Sequence, residues 1–493
     1  MNNKAILIVT GAFIIIVSAF VIYSNIDNTP KADTFESLSS KVSEGVERIE
    51  VTSDIELTAP IFVTNEVTIF STKDVVLKRS ETYLGELFII GESEDHSKPI
   101  LDGKQSKLTI GNNKPGNGIL IIDGNEAVSA IGSMFLIVAS GELAMMDGCA
   151  LQNGYKVGNE RLLDTSHYIT SSPESIGGAA VDVISGVFNM YGGVIKNCQS
   201  SLDTDGSSYL GGAIYNYGDF NMYGGSIEGN KSARGGAIYD YKTVHIYSGS
   251  ILNNDATSYG GGICCANSQY VNIYLGEREA KKGTVLLQGN TSDGAGAAIY
   301  AKQKCSIVSY GGVTFKDNVS SSHGGAIYVA GTLWIYDTLF DGNKAKSQGG
   351  AIQLHDVDGF TPRDVTIVNT TFINNEAKTG GGLFDKTKGI LTIEGCVFQS
   401  NHASESGGSI YSSASSNIII TSIEATENKA KTGGFLYITD SGTTVSLISG
   451  SIKNNEAQVG EFIYGPNSES LVVLGHTLDY EGTKEGDYKE VVI

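Results

Sequence analysis

Proline and tryptophan are nearly missing from this chain of 493 residues, which holds 7 prolines and one tryptophan. Seven prolines are under a third of the globular norm of about 5%. A collagen-like or proline-rich linker reading therefore fails, and so does a chain broken up by proline-fixed turns. Positive charge is scarce too: 34 Lys and Arg stand against 54 Asp and Glu, a formal charge of −20. Such a surface repels a phosphate backbone, so nucleic acid is not an expected partner. The six cysteines (Cys149, Cys198, Cys264, Cys265, Cys305 and Cys396) fall at no zinc-like or CxxC spacing. They read as small buried thiols, with any disulfide left open.

Glycine is what the chain has in excess, with 62 residues, nearly twice the average of about 7%. With 41% hydrophobic residues there is enough apolar surface for a folded core. Near the N-terminus, residues 5–23 (AILIVTGAFIIIVSAFVIY) carry no charge over a length that can cross a membrane. Lys4 precedes this segment and acidic residues follow, so the bulk of the chain is expected outside. The segment reads as an uncleaved transmembrane anchor or, with Val17-Ser18-Ala19 as cleavage site, as a signal peptide.

A GGAIY-like word begins at Gly177, Gly211, Gly235, Gly260, Gly296, Gly324, Gly349, Gly380, Gly407, Gly433 and Gly460, eleven copies spaced 24 to 36 residues apart. Ahead of most copies stands an apolar-x-x-Asn word, as in Ile227/Asn230, Leu287/Asn290, Phe340/Asn343 and Phe398/Asn401. Between the words residues alternate as strands do, for example Phe220-Asn-Met222 and Leu333-Trp-Ile335. Repeats this short, without an amphipathic helix, suit neither helical solenoids nor propeller blades, which need about 40 residues. They predict an all-β parallel solenoid: one coil per repeat, about three short strands per coil, and eleven coils rising roughly 50 Å at about 4.8 Å each.

In that geometry Gly-Gly belongs at a corner where backbones approach closely and φ is positive. Asn tolerates the left-handed conformation, and stacked amides can bond from coil to coil. The fourth position of the glycine word (Ile214, Ile238, Ile299, Ile327, Ile352, Ile410) should point inward. The chain divides into a membrane or signal segment with linker (1–32), a short capping helix (33–44) with Asp33 as N-cap and Phe35, Leu38 and Val42 on one face, about five irregular coils (45–170), the regular coils (171–465) and a C-terminal cap (466–493).

The pair F-x-x-N plus G-G-A-[I/L/V], plainest in residues 314–328 (TFKDNVSSSHGGAIY) and 339–352 (LFDGNKAKSQGGAI), resembles the repeat of the polymorphic outer-membrane protein (Pmp) passenger domains of chlamydiae and related adhesin-like proteins. The resemblance implies a right-handed parallel β-helix, a pectate-lyase-like solenoid, on a cell surface. The function it implies is adhesion or contact with a host or substrate. Family members end in a membrane β-barrel for which residues 466–493 offer no pattern, so the N-terminal segment is expected to supply export or anchoring.

Three features are candidates for a site. The fifth position of the glycine word holds Tyr215, Tyr239, Tyr300, Tyr328, Tyr411, Tyr437 and Tyr464, which alternation places outside as a column able to meet glycan rings or a partner protein. Tyrosine also suits exposed strands for structural reasons alone, which is the plainer reading. The loop carrying His355, Asp356, Asp358, Arg363 and Asp364 could hold calcium or a sugar, although such residues are ordinary in solvated loops. Asp203-Thr-Asp205-Gly206 is a fragment of a calcium-loop pattern without its remaining ligands. Sequons at Asn230, Asn290, Asn318 and Asn369 read as coincidence, three of them being ladder asparagines, and Trp334 reads as an ordinary strand residue. No resident metal or cofactor and no catalytic residue is assigned, calcium being the weak exception. The functional expectation is an exported surface adhesin or binding protein meeting glycans or surface proteins. The alternatives are a polysaccharide-degrading lyase or glycosidase of the same fold and a structural envelope protein.

Overall fold

The protein is described by a computed structural model covering residues 29–92, 106–112, 118–157, 177–201, 210–265, 271–277, 283–356, 364–413, 417–440, 442–465 and 470–492. Residues 5–23 and 202–209 lie outside this set. Among the described residues no helix is long and apolar enough to cross a membrane.

All strand pairings are parallel, and each strand pairs with its equivalents one coil before and one coil after. A representative coil runs through Ile327–Val329, Leu333–Tyr336, Thr338–Asp341 and the two-residue Lys344–Ala345. Four strands thus replace the expected three, the fourth varying from two to five residues between coils. Their equivalents stack in four rows. The first row is a 15-stranded sheet and the fourth a 9-stranded one. The second and third rows merge into a 30-stranded sheet, because Thr444–Lys453 and Leu471–Tyr480 each run through both.

One continuous apolar core fills the tube. The predicted inward column Ile214, Ile238, Ile299, Ile327, Ile352 and Ile410 is fully buried. In the third row Phe315, Phe340, Phe372 and Phe398 stack with centroids 4.5 to 5.0 Å apart. Where Ala425 follows them in register, the neighbouring coils place the fully buried Phe435 and Phe462 at a corner position that elsewhere holds Ala, Gly or Ser, redistributing core volume.

The corners explain the glycine excess. The first glycine of ten words, from Gly211 to Gly460, has φ between 62° and 75°. At the second position a Cβ on Gly350 would lie 2.1 Å from the Gly381 carbonyl oxygen of the next coil, and one on Gly381 would lie 2.3 Å from that of Gly408. The word at Gly177 is displaced by one residue, since Val181 aligns with Ile214 and Asp182 with Tyr215.

The asparagines form a ladder from Asn230 through Asn254, Asn290, Asn318, Asn343, Asn375, Asn401 and Asn428 to Asn455, each Nδ2 donating to the next Oδ1 at 2.9 to 3.0 Å. Each of the first eight also donates its own backbone N–H to that same oxygen. The left-handed residue, however, is the one before the asparagine: Gly229, Asn253, Gly289, Asp317, Gly342, Asn374, Ser400, Glu427 and Asn454 have positive φ, and the ladder residues do not. Asparagine is therefore required for its amide and not for its backbone tolerance. Cys198, in the first rung's place, donates its N–H to Asn230.

At the N-terminal end the helix Phe35–Ser43 is capped by Thr34, one residue after the expected Asp33, and it buries Leu38 and Val42 against the first coils. Over residues 45–170 the described residues place three strands in the first row (Ile61–Val63, Phe88–Ile90 and Phe135–Ile137) and four in the second (Arg48–Val51, Glu66–Phe70, Lys107–Ile110 and Glu142–Met145), so the coils there are unevenly spaced. At the other end, residues 471–492 continue the stack through Leu471–Tyr480, Lys484–Gly486 and Lys489–Val492 and form no separate cap.

Candidate functional site

The tyrosine column of the first row points out of the tube, as alternation requires, but much of it is not free. Tyr215 is fully buried and Tyr239 is 2% exposed; both pack with Leu136, Val138, Ile184 and Cys264 in a second apolar cluster. Burial raises the Tyr239 phenol far above its usual range and pushes Tyr328 up to about 12. The column is also broken, because Cys264 stands between Tyr239 and Tyr300 in register and Gln353 between Tyr328 and Phe384. Only Tyr411, Tyr437 and Tyr464 form a run of half-buried tyrosines over three coils, with centroids 4.9 and 5.1 Å apart. The expected seven-ring outer surface is thus interrupted in register and covered at Tyr215 and Tyr239, while Tyr300, Tyr328, Tyr411, Tyr437 and Tyr464 are half-buried.

In the polar loop, Asp358 and Arg363 lie outside the described residues. Asp356 accepts a hydrogen bond from the Lys388 backbone N–H, and Asp364 accepts one from the Ile390 N–H at 3.0 Å. Both carboxylates therefore tie the loop to the following coil. His355 packs against the Tyr328 ring at 5.8 Å. Among the described residues no group of three or more His, Cys, Asp or Glu converges as a metal site. Asn230, Asn290 and Asn318 are buried in the ladder and unreachable for glycosylation, whereas Asn369 is exposed at a turn.

The second row carries a feature the sequence reading missed. Tyr191, Tyr223 and Tyr247 stack one coil apart at 5.0 and 4.8 Å. His245 lies beside Tyr247 at 5.7 Å and stacks on Tyr274 at 4.8 Å, and Tyr274 lies 6.3 Å from Tyr310. Trp334 and Tyr336 follow on the next coil, in register with Val308 and beside Tyr310. Two neighbouring columns thus make one aromatic strip across six coils. Tyr191, Tyr223 and Trp334 are 43%, 41% and 41% exposed.

At the far end of the strip a cleft of about 410 Å³ is lined by Val308, Tyr310, Trp334, Tyr336 and Asp337. Its cause is the register: Val308 stands between Tyr274 and Trp334, and a short side chain leaves a gap in a row of rings. The strip's signal was present as Tyr closely followed by Gly in NMYGG (189–193, 221–225), HIYSG (245–249) and SYGG (309–312). It was hidden because the rings change column between Tyr247 and Tyr274, and only the register shows them to be neighbours.

Cys265 and Cys305 form a disulfide between successive coils, and Cys149, Cys198, Cys264 and Cys396 are free and buried. Burial pushes the Cys198 and Cys264 thiols up to about 12 and Cys396 to about 11, so none is a reactive thiolate.

Fold and surface together define a class: a parallel β-solenoid whose distinctive groups lie on its outer faces. The Chlamydia polymorphic membrane protein (Chlamydia_PMP) repeat matches this chain four times, at residues 284–302, 312–330, 337–354 and 395–413. The chain carries repeats similar to those of this family on a parallel β-solenoid, consistent with a Pmp-like β-helix repeat protein, and such repeats suggest a surface-exposed, adhesin-like outer-membrane protein. No curated protein and no solved structure matches.

Proposed function

We propose that the chain is an exported, surface-anchored adhesin, a right-handed β-helix whose outer faces make contact with glycans or proteins of another surface. The observation that carries this reading is the Pmp repeat itself, which lies on coils that stack without a break from Val181 to Gly465. Two further observations support it. The Cys265–Cys305 disulfide suits an oxidising, extracytoplasmic setting. Asp356 and Asp364, offered for catalysis by a lyase or glycosidase reading, are engaged by backbone amides. Residues 5–23 serve as the anchor in this reading.

Displaying the full chain on a non-adherent bacterium tests the proposal. Gain of attachment to cultured epithelial cells is expected. Failure to attach, together with release of reducing ends or unsaturated sugars from added polysaccharides, overturns it in favour of the enzyme.

A further inference from the structure

We infer that the aromatic strip of the second row is a carbohydrate-binding surface, with its principal seat in the cleft at Trp334, taking an extended, neutral polysaccharide along the solenoid axis. This rests on the surface-binding reading and names its ligand class. Pyranose rings present C–H faces that pack on aromatic rings and hydroxyls that need polar partners beside them. The stacked rings along the strip turn apolar edges and polar tips outward, and at Trp334, whose register partners are Val308 and Thr366, no ring stacks on the indole in its own column. Its groups, from the exposed Tyr191, Tyr223 and Trp334 to the half-buried His245, are phenols, an imidazole and an indole, which combine apolar bodies with hydrogen-bonding tips. Beside them, Asn221 Nδ2 donates to Asn189 Oδ1 at 3.0 Å on the same face.

Geometry favours a chain of sugars over a single one. Successive rings are one coil apart, about 4.8 Å, close to the advance of one pyranose residue in an extended glycan. His245, Tyr274, Trp334 and Tyr336 sit on short parallel strands tied on both sides, and Tyr191, Tyr223, Tyr247 and Tyr310 each directly follow one, so little side-chain freedom is lost on binding. The seat is set by Val308, whose small side chain leaves the indole of Trp334 without a ring on the preceding coil of its own column, with Tyr310 and Tyr336 in the column beside it. Asp337, at the rim, is exposed and able to accept hydrogen bonds from sugar hydroxyls. Its carboxylate and the chain's formal charge of −20 disfavour an acidic glycan.

The chain has one tryptophan, so its fluorescence reports on this seat alone. The full chain is titrated with the hexasaccharides of β-1,4-linked glucose and β-1,4-linked N-acetylglucosamine and with polygalacturonate, while cell attachment is scored in parallel. A saturable change in Trp334 emission with at least one neutral hexasaccharide, and none with polygalacturonate, is expected. By calorimetry, Tyr310→Ala and Trp334→Ala should each weaken that binding by roughly tenfold or more, with circular dichroism unchanged because both side chains are at the surface. Tyr437→Ala, on the first row, should leave it intact. If neither neutral sugar binds, or if the polyanion alone binds, the inference falls; should attachment persist in that case, the adhesin reading stands and its contact is a protein. If neither sugar binding nor attachment is seen, both readings fall.

Discussion

The regular coils from residue 177 to 465 and the irregular ones from 29 to 157 share one core and one pairing scheme, yet they satisfy their buried polar groups differently. In the regular coils the solution is repetition: one asparagine per coil, each rung bonded to the next. In the irregular coils it is a few residues, each placed once. Arg79 is buried there and donates to the carbonyls of Gly85, Gly124, Gly132 and Ser133, tying together long excursions that no ladder reaches. Desolvation lowers its pKa to about 10, still a charged group at neutral pH. Lys156 and Asp182, 2.7 Å apart and almost wholly buried, do similar work where the two regions meet. Stacking a repeat spreads polar satisfaction over many equal bonds, whereas irregular coils concentrate it in a few charges.

The most damaging way to probe this contrast is therefore in the irregular half. Arg79→Ala should cost about 3–5 kcal/mol by leaving several buried carbonyls unpaired beside a cavity. Hydrogen exchange should show the loss concentrated in residues 48–157, because solenoid coils depend chiefly on their neighbours. A uniform loss along the chain would contradict the contrast.

The disulfide comes next. Cys265 and Cys305 are 40 residues apart in sequence, and removing the link by Cys265→Ser with Cys305→Ser should cost about 2–4 kcal/mol, chiefly by freeing the unfolded chain. Denaturant melts of oxidised, reduced and substituted protein measure it. Equal midpoints would mean that the regular coils take nothing from covalent closure.

A single rung should matter less than either. Asn343→Ala removes donors to Asn375 and to the Phe315 carbonyl and an acceptor for Asn318, for about 1–3 kcal/mol. Replacing Asn318 and Asn343 together should cost less than the sum of the two single losses, because they share a bond. Strict additivity in the melts would show that the ladder is not a coupled network.

What could be read from the sequence follows the same division. Corners, the inward isoleucines and the asparagine column were legible because stacking forces one requirement on every coil, so the residue recurs. Arg79 was not, since a residue used once has nothing to stand against. The tyrosine column was read in the right direction and with the wrong exposure: alternation states which side of a strand a ring takes, and it cannot say that Leu136, Val138 and Ile184 cover Tyr215 and Tyr239. The strip ending at Trp334 was missed for the opposite reason, its rings belonging to two columns that only pairing aligns.

The smallest expected effect sharpens the contrast from inside the regular half, where a buried carboxyl departs from repetition. Asp240 is fully buried in the first row, in register with Asn216 before it and Cys265 after it. Burial raises its carboxyl to about 7, only partly opposed by hydrogen bonds from Asn216 Nδ2 at 2.8 Å and the Lys242 N–H at 3.2 Å. Its other oxygen, Oδ2, has no hydrogen-bond partner, so ionisation would leave a buried charged oxygen uncompensated. Because the folded pKa lies above the unfolded one, this group's stabilising contribution is complete below the unfolded value and is lost as pH rises through about 7. Between pH 6 and pH 8 the loss should be about 1 kcal/mol. Asp240→Asn keeps the acceptor for Asn216 and abolishes the titration, so its denaturation midpoint should vary less over that interval than that of the parent chain. If the two pH profiles coincide, Asp240 is already ionised in the fold, and the regular coils can hold a lone charge without the multiple carbonyl partners that Arg79 needs.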